Sequence, residues 1–278
     1  MTREREDGDS ALAQAQDDRA PFAPLAADPV MAAPPDVAPA AGVTAGTGRA
    51  VVVPAAVAAV LLDYGGTLDG DALHWFDHFV VLYTQAGAGI TVASLKDAFY
   101  AADAVLAATP EVRTYGLEPM VRSHVRLQLA GLGIDDPALG QQIGDAFIAD
   151  TRRAWDRNRT LLGRLAARYR LGVVSNSYGN MPALLAEANL APFDLVLDST
   201  LVGLHKPDPA LYALASARLD LPAAAILHVG DSWERDVTPA RAVGMQAAWL
   251  ARPDAPMPES PAPVWRLSSL LELEALLP

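Results

Sequence analysis

From about residue 155 onward, short unbroken apolar runs alternate with stretches whose apolar residues recur every three to four positions. The runs at 171–174, 195–197, 226–229 and 247–250 are too short for helices and read as strands buried on both faces. The periodic stretches at 160–169, 182–188, 209–218, 236–243 and 268–277 read as helices, the fourth closed by Gly244. One further strand precedes them all, over 57–62, and its apolar run stops abruptly at Asp63. Strands separated by helices of this length predict βαβ units, hence an α/β fold with a doubly wound parallel sheet. Residues 71–154 differ, showing helical periodicity throughout, over 73–85, 91–108, 118–131 and 137–155. An all-helical block inserted directly after the first strand is placed to cover the carboxyl ends of the sheet, as a cap. The expected division is a core of 51–70 and 155–278 with a helical cap of 71–154.

The first fifty residues carry no sustained period and hold six prolines among many alanines. Such a segment cannot bury enough apolar surface to offset the entropy of ordering, so 1–48 is expected to be a disordered tail. Its opening, Met1 to Asp7, is mixed in charge and no apolar stretch follows, so no secretory signal is expected. The apolar run of 50–62 contains Pro54, ends on an aspartate and is too short to span a bilayer. A soluble, cytoplasmic chain is expected, monomer or homodimer, with no membrane partner. The absence of cysteine excludes disulfides, thiolate metal sites and a cysteine nucleophile. A formal net charge of −12 argues against a nucleic-acid partner. It leaves room for a small phosphorylated substrate, because one local cationic site can outweigh a diffuse negative field.

Four polar clusters lie at the ends of predicted strands. They are Asp63-Tyr64-Gly65-Gly66-Thr67, then Ser175-Asn176, then His205-Lys206-Pro207-Asp208-Pro209, and finally the stretch from His228 through Asp231 and Ser232 to Asp236. Taken singly, each has a bland reading. A Ser-Asn after a strand is turn chemistry, a Lys-Pro-Asp-Pro is a surface turn, and Asp231-Ser232 is a helix cap. Parallel strands, however, place their carboxyl ends on one side, so the four clusters converge. What converges is three aspartates, two hydroxyls and Lys206, which is one of only two lysines in the chain. Asp63 and Asp231, with a backbone carbonyl from the glycine turn, form a hard oxygen cage suited to Mg²⁺. Thr67, Ser175 and Lys206 can hold the oxygens of a phosphoryl group, the lysine as a point charge.

In this order and on these elements, the four motifs resemble the haloacid dehalogenase (HAD) superfamily, with a helical cap inserted between the first and second. The resemblance covers about 57–252. It implies a Rossmann-like core and a hydrolase, and it assigns Asp63 as a nucleophile that forms an aspartyl-phosphate. Thr67 and Ser175 would position the phosphoryl group, Gly66 and Asn176 would contact the substrate, and Lys206 would neutralise the charge. Asp63, the Gly65 carbonyl and Asp231 would bind Mg²⁺, with Asp236 holding the metal shell.

Gly65 departs from the pattern. Phosphatases of the family usually carry an aspartate there, which protonates the leaving group and later activates water. Its absence leaves three expectations open. In the first, a phosphatase replaces the acid with a nearby group, such as Asp69, His74 or a cap residue, or with water. In the second, a dehalogenase or phosphonatase cleaves a different bond, the latter with Lys96 as its cap lysine. In the third, an impaired scaffold binds phosphate or a partner. The cap arginines 113, 122, 126, 152 and 153 and the pair His74/His78 read as surface or hinge residues.

Overall fold

A six-stranded, all-parallel sheet organises the chain, with strands in the order β3-β2-β1-β4-β5-β6. The computed structural model describes residues 56–260 and 263–277, so the predicted tail of 1–48 lies outside the described residues. The strands are β1 (Ala59–Leu62), β2 (Arg170–Ser175), β3 (Leu195–Asp198), β4 (Ile226–Gly230), β5 (Gln246–Leu250) and β6 (Trp265–Leu267). Four helices follow β1 before the next strand: α1 (Trp75–Gln85), α2 (Val92–Ala107), α3 (Leu117–Gly131) and α4 (Pro137–Ala166). The others are α5 (Met181–Ala188), α6 (Ser199–Val202), α7 (Pro209–Leu219), α8 (Thr238–Ala242) and α9 (Leu273–Leu276). All described residues belong to one compact unit, and no helix among them is long and apolar enough to cross a membrane.

The apolar run of β1 is continuous because both faces of the sheet are covered. Successive side chains point to opposite faces, and Ala59, Val60, Leu61 and Leu62 are all 0% exposed. Val60 and Leu62 pack with Val173 and Val229 against α1, α3, α4 and α5. Ala59 and Leu61 pack on the opposite face with Val174 and Leu197 against Leu211, Tyr212, Ala215 and Leu219 of α7. Each such buried side chain contributes about 1.5–3 kcal/mol. Chain order reverses direction at β1, whose neighbours are β2 on one side and β4 on the other. A crevice therefore opens beyond the carboxyl ends of β1 and β4, where doubly wound folds bind ligands.

Two sequence expectations need correction. The stretches 137–155 and 160–169 are one helix, α4, of 30 residues. The polar Asp156-Arg157-Asn158-Arg159 reads locally as a break. It stays helical because Arg159 pairs with Asp156 at 2.8 Å on the solvent face, while buried Asn158 donates to the Leu68 carbonyl at 3.0 Å. Phe147, Thr151, Ala154, Asn158, Leu161 and Leu165 carry the buried stripe through the polar stretch. The second correction is β6, which the sequence pattern does not predict. Its three residues include Arg266, and it is a strand through its pairing with β5, Ala248 facing Trp265 and Leu250 facing Leu267. The predicted terminal helix is correspondingly short, a single turn at Leu270–Glu272 running into α9.

Leu61→Ala removes a side chain from the centre of the sheet and is expected to destabilise the fold by about 2–5 kcal/mol, read from the midpoint of urea unfolding.

Candidate active site

A cavity of about 480 Å³ lies over the ends of β1, β2 and β4. Asp63, Ser175, Asn176, Lys206, Asp231 and Asp236 all line it, as does Gly65. The sequence clusters thus converge as parallel topology requires. At their centre the Lys206 ammonium donates to Asp63 Oδ1 and to Asp236 Oδ1, each at 2.6 Å, and is almost fully buried. Burial alone would lower the Lys206 pKa, but Asp236 and Asp63 outweigh it and hold the ammonium above an ordinary lysine. Asp236 feels the same pairing. Burial would raise its pKa, yet Lys206 and His228 hold it below the usual carboxylate range.

Every acceptor of Asp236 is engaged inside the protein. Oδ1 also takes His228 Nε2 at 3.1 Å, and Oδ2 accepts the Ser232 amide at 3.0 Å. Gly230 makes that closeness possible, since a Cβ there would lie 2.3 Å from Asp236 Cγ. Asp236 therefore supports Lys206 and Asp63 rather than reaching outward. Asp231 stands in contrast. No lysine or arginine among the described residues pairs with it, and burial, then Asp63 and Asp236, push its pKa well above the carboxylate range. One oxygen from each of Asp63, Asp231 and Asp236 lies within 4.8 Å of the others. Three carboxyl groups this close offer a set of hard oxygens that a divalent cation fits.

Asn176 lines the cavity, but its carboxamide is taken up by the backbone of Lys206. It accepts from the Lys206 amide at 2.8 Å and donates to its carbonyl at 3.1 Å. It thereby clamps the segment that aims the lysine. Gly66 and Thr67 do not line the cavity. Gly66 has φ +77, and a Cβ there would lie 2.4 Å from Asp231 Oδ2, so the turn needs glycine for both reasons. Its amide donates to Asp69 Oδ1 at 2.7 Å. Thr67 is fully buried with no hydrogen-bond partner for its hydroxyl among the described residues.

The surroundings of Gly65 explain much about it. Its φ of −67 and ψ of 121 suit any residue. A Cβ would meet the Trp75 indole at 3.5 Å, in ordinary contact, so the next atoms of a longer side chain have to share that space with the ring. Trp75 is pinned there because its Nε1 donates to Asp69 Oδ2 at 2.5 Å. Asp69 is buried and lies outside the cavity lining. Burial raises its pKa to about 7, against the pull of its bonds to Trp75 and Gly66. His74 does line the cavity, but Arg235 Nη2 sits 3.0 Å from its Nε2, and burial followed by Arg235 lowers its pKa. The cap arginines 113, 122, 126, 152 and 153 do not line the cavity, and Lys96 is exposed.

Several site residues had no readable signal in the sequence. Asp103 and Tyr178 line the cavity and bond to each other. Asp198, at the end of β3, accepts three backbone amides, those of Gly179, Met181 and Thr200, at 3.0–3.1 Å, and so fixes the loop after Ser175.

A buried carboxylate paired to a buried lysine thus stands at the switch point of a parallel sheet. Residues 57–244 match the haloacid dehalogenase-like hydrolase family, and the chain belongs to it. The chain is 30% identical over 137 residues to haloacid dehalogenase-like hydrolase domain-containing protein 3 of Danio rerio, covering 47% of this chain and 57% of the relative. It is 31% identical over 121 residues to the pyrimidine 5'-nucleotidase YjjG of Escherichia coli (strain K12), covering 42% and 54%. The chain thus spans about half the length of the curated relatives it matches. The crystal structure of a dehalogenase in an intermediate complex shares its fold, with a TM-score of 0.56 at 20% identity, covering 81% of this chain and 99% of that one.

The raised pKa of Asp69 carries a sign. Between pH 3.8 and about 7 the folded chain binds more protons at this residue than the unfolded chain, so its contribution to stability falls as pH rises through that window. Asp69→Asn removes this component, and urea unfolding from pH 5 to 8 should show a flatter profile for the variant. The variant should also be about 1–3 kcal/mol less stable at pH 5, because its amide sets a donor against either Gly66 N–H or Trp75 Nε1–H.

Proposed function

We propose that the chain is a Mg²⁺-dependent phosphatase of small phosphomonoesters, acting through an aspartyl-phosphate on Asp63. The observation that carries this reading is the Lys206 ammonium, 2.6 Å from both Asp63 and Asp236, beside a third carboxylate with no protein cation of its own. Attack by an ionised carboxylate on an anionic phosphoryl group needs fixed positive charge at the point of approach. Lys206 supplies one such charge, held ionised by its two partners. Asp63, Asp231 and the Gly65 carbonyl would hold Mg²⁺, with Asp236 behind them. Bound there, the ion screens the phosphoryl oxygens from the carboxylates. Ser175, at the cavity wall, donates its hydroxyl to a phosphoryl oxygen. The E. coli relative named a pyrimidine 5'-nucleotidase favours a phosphate ester as substrate.

The helical segment 71–154 acts as the cap in this reading. It supplies Trp75, Phe99, Tyr100 and Met120 to the cavity wall, and such a cover excludes water from the reacting group. No acid stands at Gly65, Asp69 lies outside the cavity lining, and His74 holds Arg235. Leaving groups that need no proton are therefore favoured. That same gap favours a second reading, cleavage of a carbon–halogen bond, in which halide departs without protonation.

With Mg²⁺ present, p-nitrophenyl phosphate should be hydrolysed, and Asp63→Asn or chelation with EDTA should each lower kcat/KM by more than about a hundredfold. Gly65→Asp should accelerate alkyl phosphates more than p-nitrophenyl phosphate, by up to ~10²–10⁴. An equal effect on both would mean that another group already supplies the proton. No phosphate release, together with halide release from 2-haloacids in EDTA, would move the chain to the second reading.

A further inference from the structure

The cavity has two ends of different chemistry. Asp63, Lys206 and Asp231 occupy the strand end, whereas α1 to α3 present an apolar wall of Trp75, Phe99, Tyr100 and Met120. One carboxylate interrupts that wall, Asp103 of α2, with 32% of its side chain accessible. Its Oδ1 accepts from His124 Nε2 at 3.0 Å and from the Tyr178 hydroxyl. Its Oδ2 has no hydrogen-bond partner among the described residues.

The direction of donation in this network is consistent along its length. Gln128 Nε2 lies 2.7 Å from His124 Nδ1. With the amide donating there, the proton of the fully buried imidazole sits on Nε2 and points at Asp103. Asp103 is thus held from behind by α3 and from below by the loop after β2, and it offers an acceptor to the cavity. What sets Asp103 apart is its place, a carboxylate anchored through one oxygen within the cavity lining. Asp103 itself pairs with no lysine or arginine among the described residues; the cavity's Arg235 is engaged with His74.

We propose that Asp103 is a specificity-determining residue, whose Oδ2 receives an ammonium or ring N–H carried on an apolar leaving group. The inference rests on the phosphatase reading above for the name "leaving group", and its test is by binding. Charge-assisted hydrogen bonds are the strong ones, and a site built to pair a donor rejects the analogue that lacks it.

The probes are two non-hydrolysable phosphonates of equal size, 4-(aminomethyl)benzylphosphonate and 4-ethylbenzylphosphonate, titrated calorimetrically into the full chain with Mg²⁺. The amine should bind wild type at least about tenfold more tightly. The ratio should fall to near one in Asp103→Asn and persist in Tyr178→Phe, which leaves the carboxylate in place. Equal affinities in wild type, no binding of either probe, or an unchanged ratio in Asp103→Asn overturns the assignment. The wild-type ratio decides alone if Asp103→Asn does not fold. A chain that hydrolyses p-nitrophenyl phosphate without amine preference loses only Asp103. A chain with the preference but no phosphate hydrolysis loses only the phosphatase reading.

Discussion

The buried contact of Lys206 with Asp63 and Asp236 is the constraint around which the site is arranged. An ammonium removed from water is stable only with its charge matched and its donors engaged. A carboxylate at a buried strand end has the same need. Removing one partner of such a group leaves a charge uncompensated, at a cost of about 3–5 kcal/mol. Much of the neighbourhood serves this pairing. Asn176 clamps the Lys206 backbone, and His228 with the Ser232 amide fixes Asp236. Asp63 itself is placed by its amide, which donates to the Val229 carbonyl at 2.9 Å and extends the sheet by one residue. The result is a carboxylate held in one orientation, beside an Asp231 that pairs directly with no lysine or arginine among the described residues.

The turn after β1 shows how one missing side chain reorganises its surroundings. Glycine at 65 is not a backbone requirement, unlike glycine at 66, whose positive φ and contact with Asp231 exclude a side chain. The space beside Gly65 is shared with Trp75, which Asp69 holds in place from beneath the turn. Trp75 also packs edge-on against Phe147 of α4, with ring centroids 4.8 Å apart. The wall beside Gly65 is thus aromatic and continuous with the core of the helical block. That continuity ties the turn after β1 to helix packing. Asn158 of α4 adds a second tie through the Leu68 carbonyl.

Much of the architecture was legible from pattern alone. Strands buried on both faces read as unbroken apolar runs, and helices as periodic ones, because burial acts on every residue of the first kind and on one stripe of the second. Where the pattern failed, tertiary contacts had overridden local signals. Asp156 to Arg159 looks like a break until Asn158 finds a buried carbonyl, and Trp265–Leu267 is a strand only beside β5. The site divides in the same way. Asp63, Lys206, Asp231 and Asp236 sit at strand ends, where parallel topology brings them together, so sequence order sufficed to group them. Asp103 and Tyr178 are 75 positions apart, in a helix and a loop, and nothing local marks either.

By itself, then, the sequence determined the first five strands, the helical insertion and the convergence of the charged residues, because each follows from periodicity and from the common direction of parallel strands. The tertiary structure decided what each group does there. Asn176 faces a backbone rather than the cavity centre, Thr67 lies buried, Trp75 lies beside Gly65, and Asp103 keeps an oxygen free. These outcomes depend on side-chain directions and on neighbours distant in the chain, and such contacts exist only once the layers have packed.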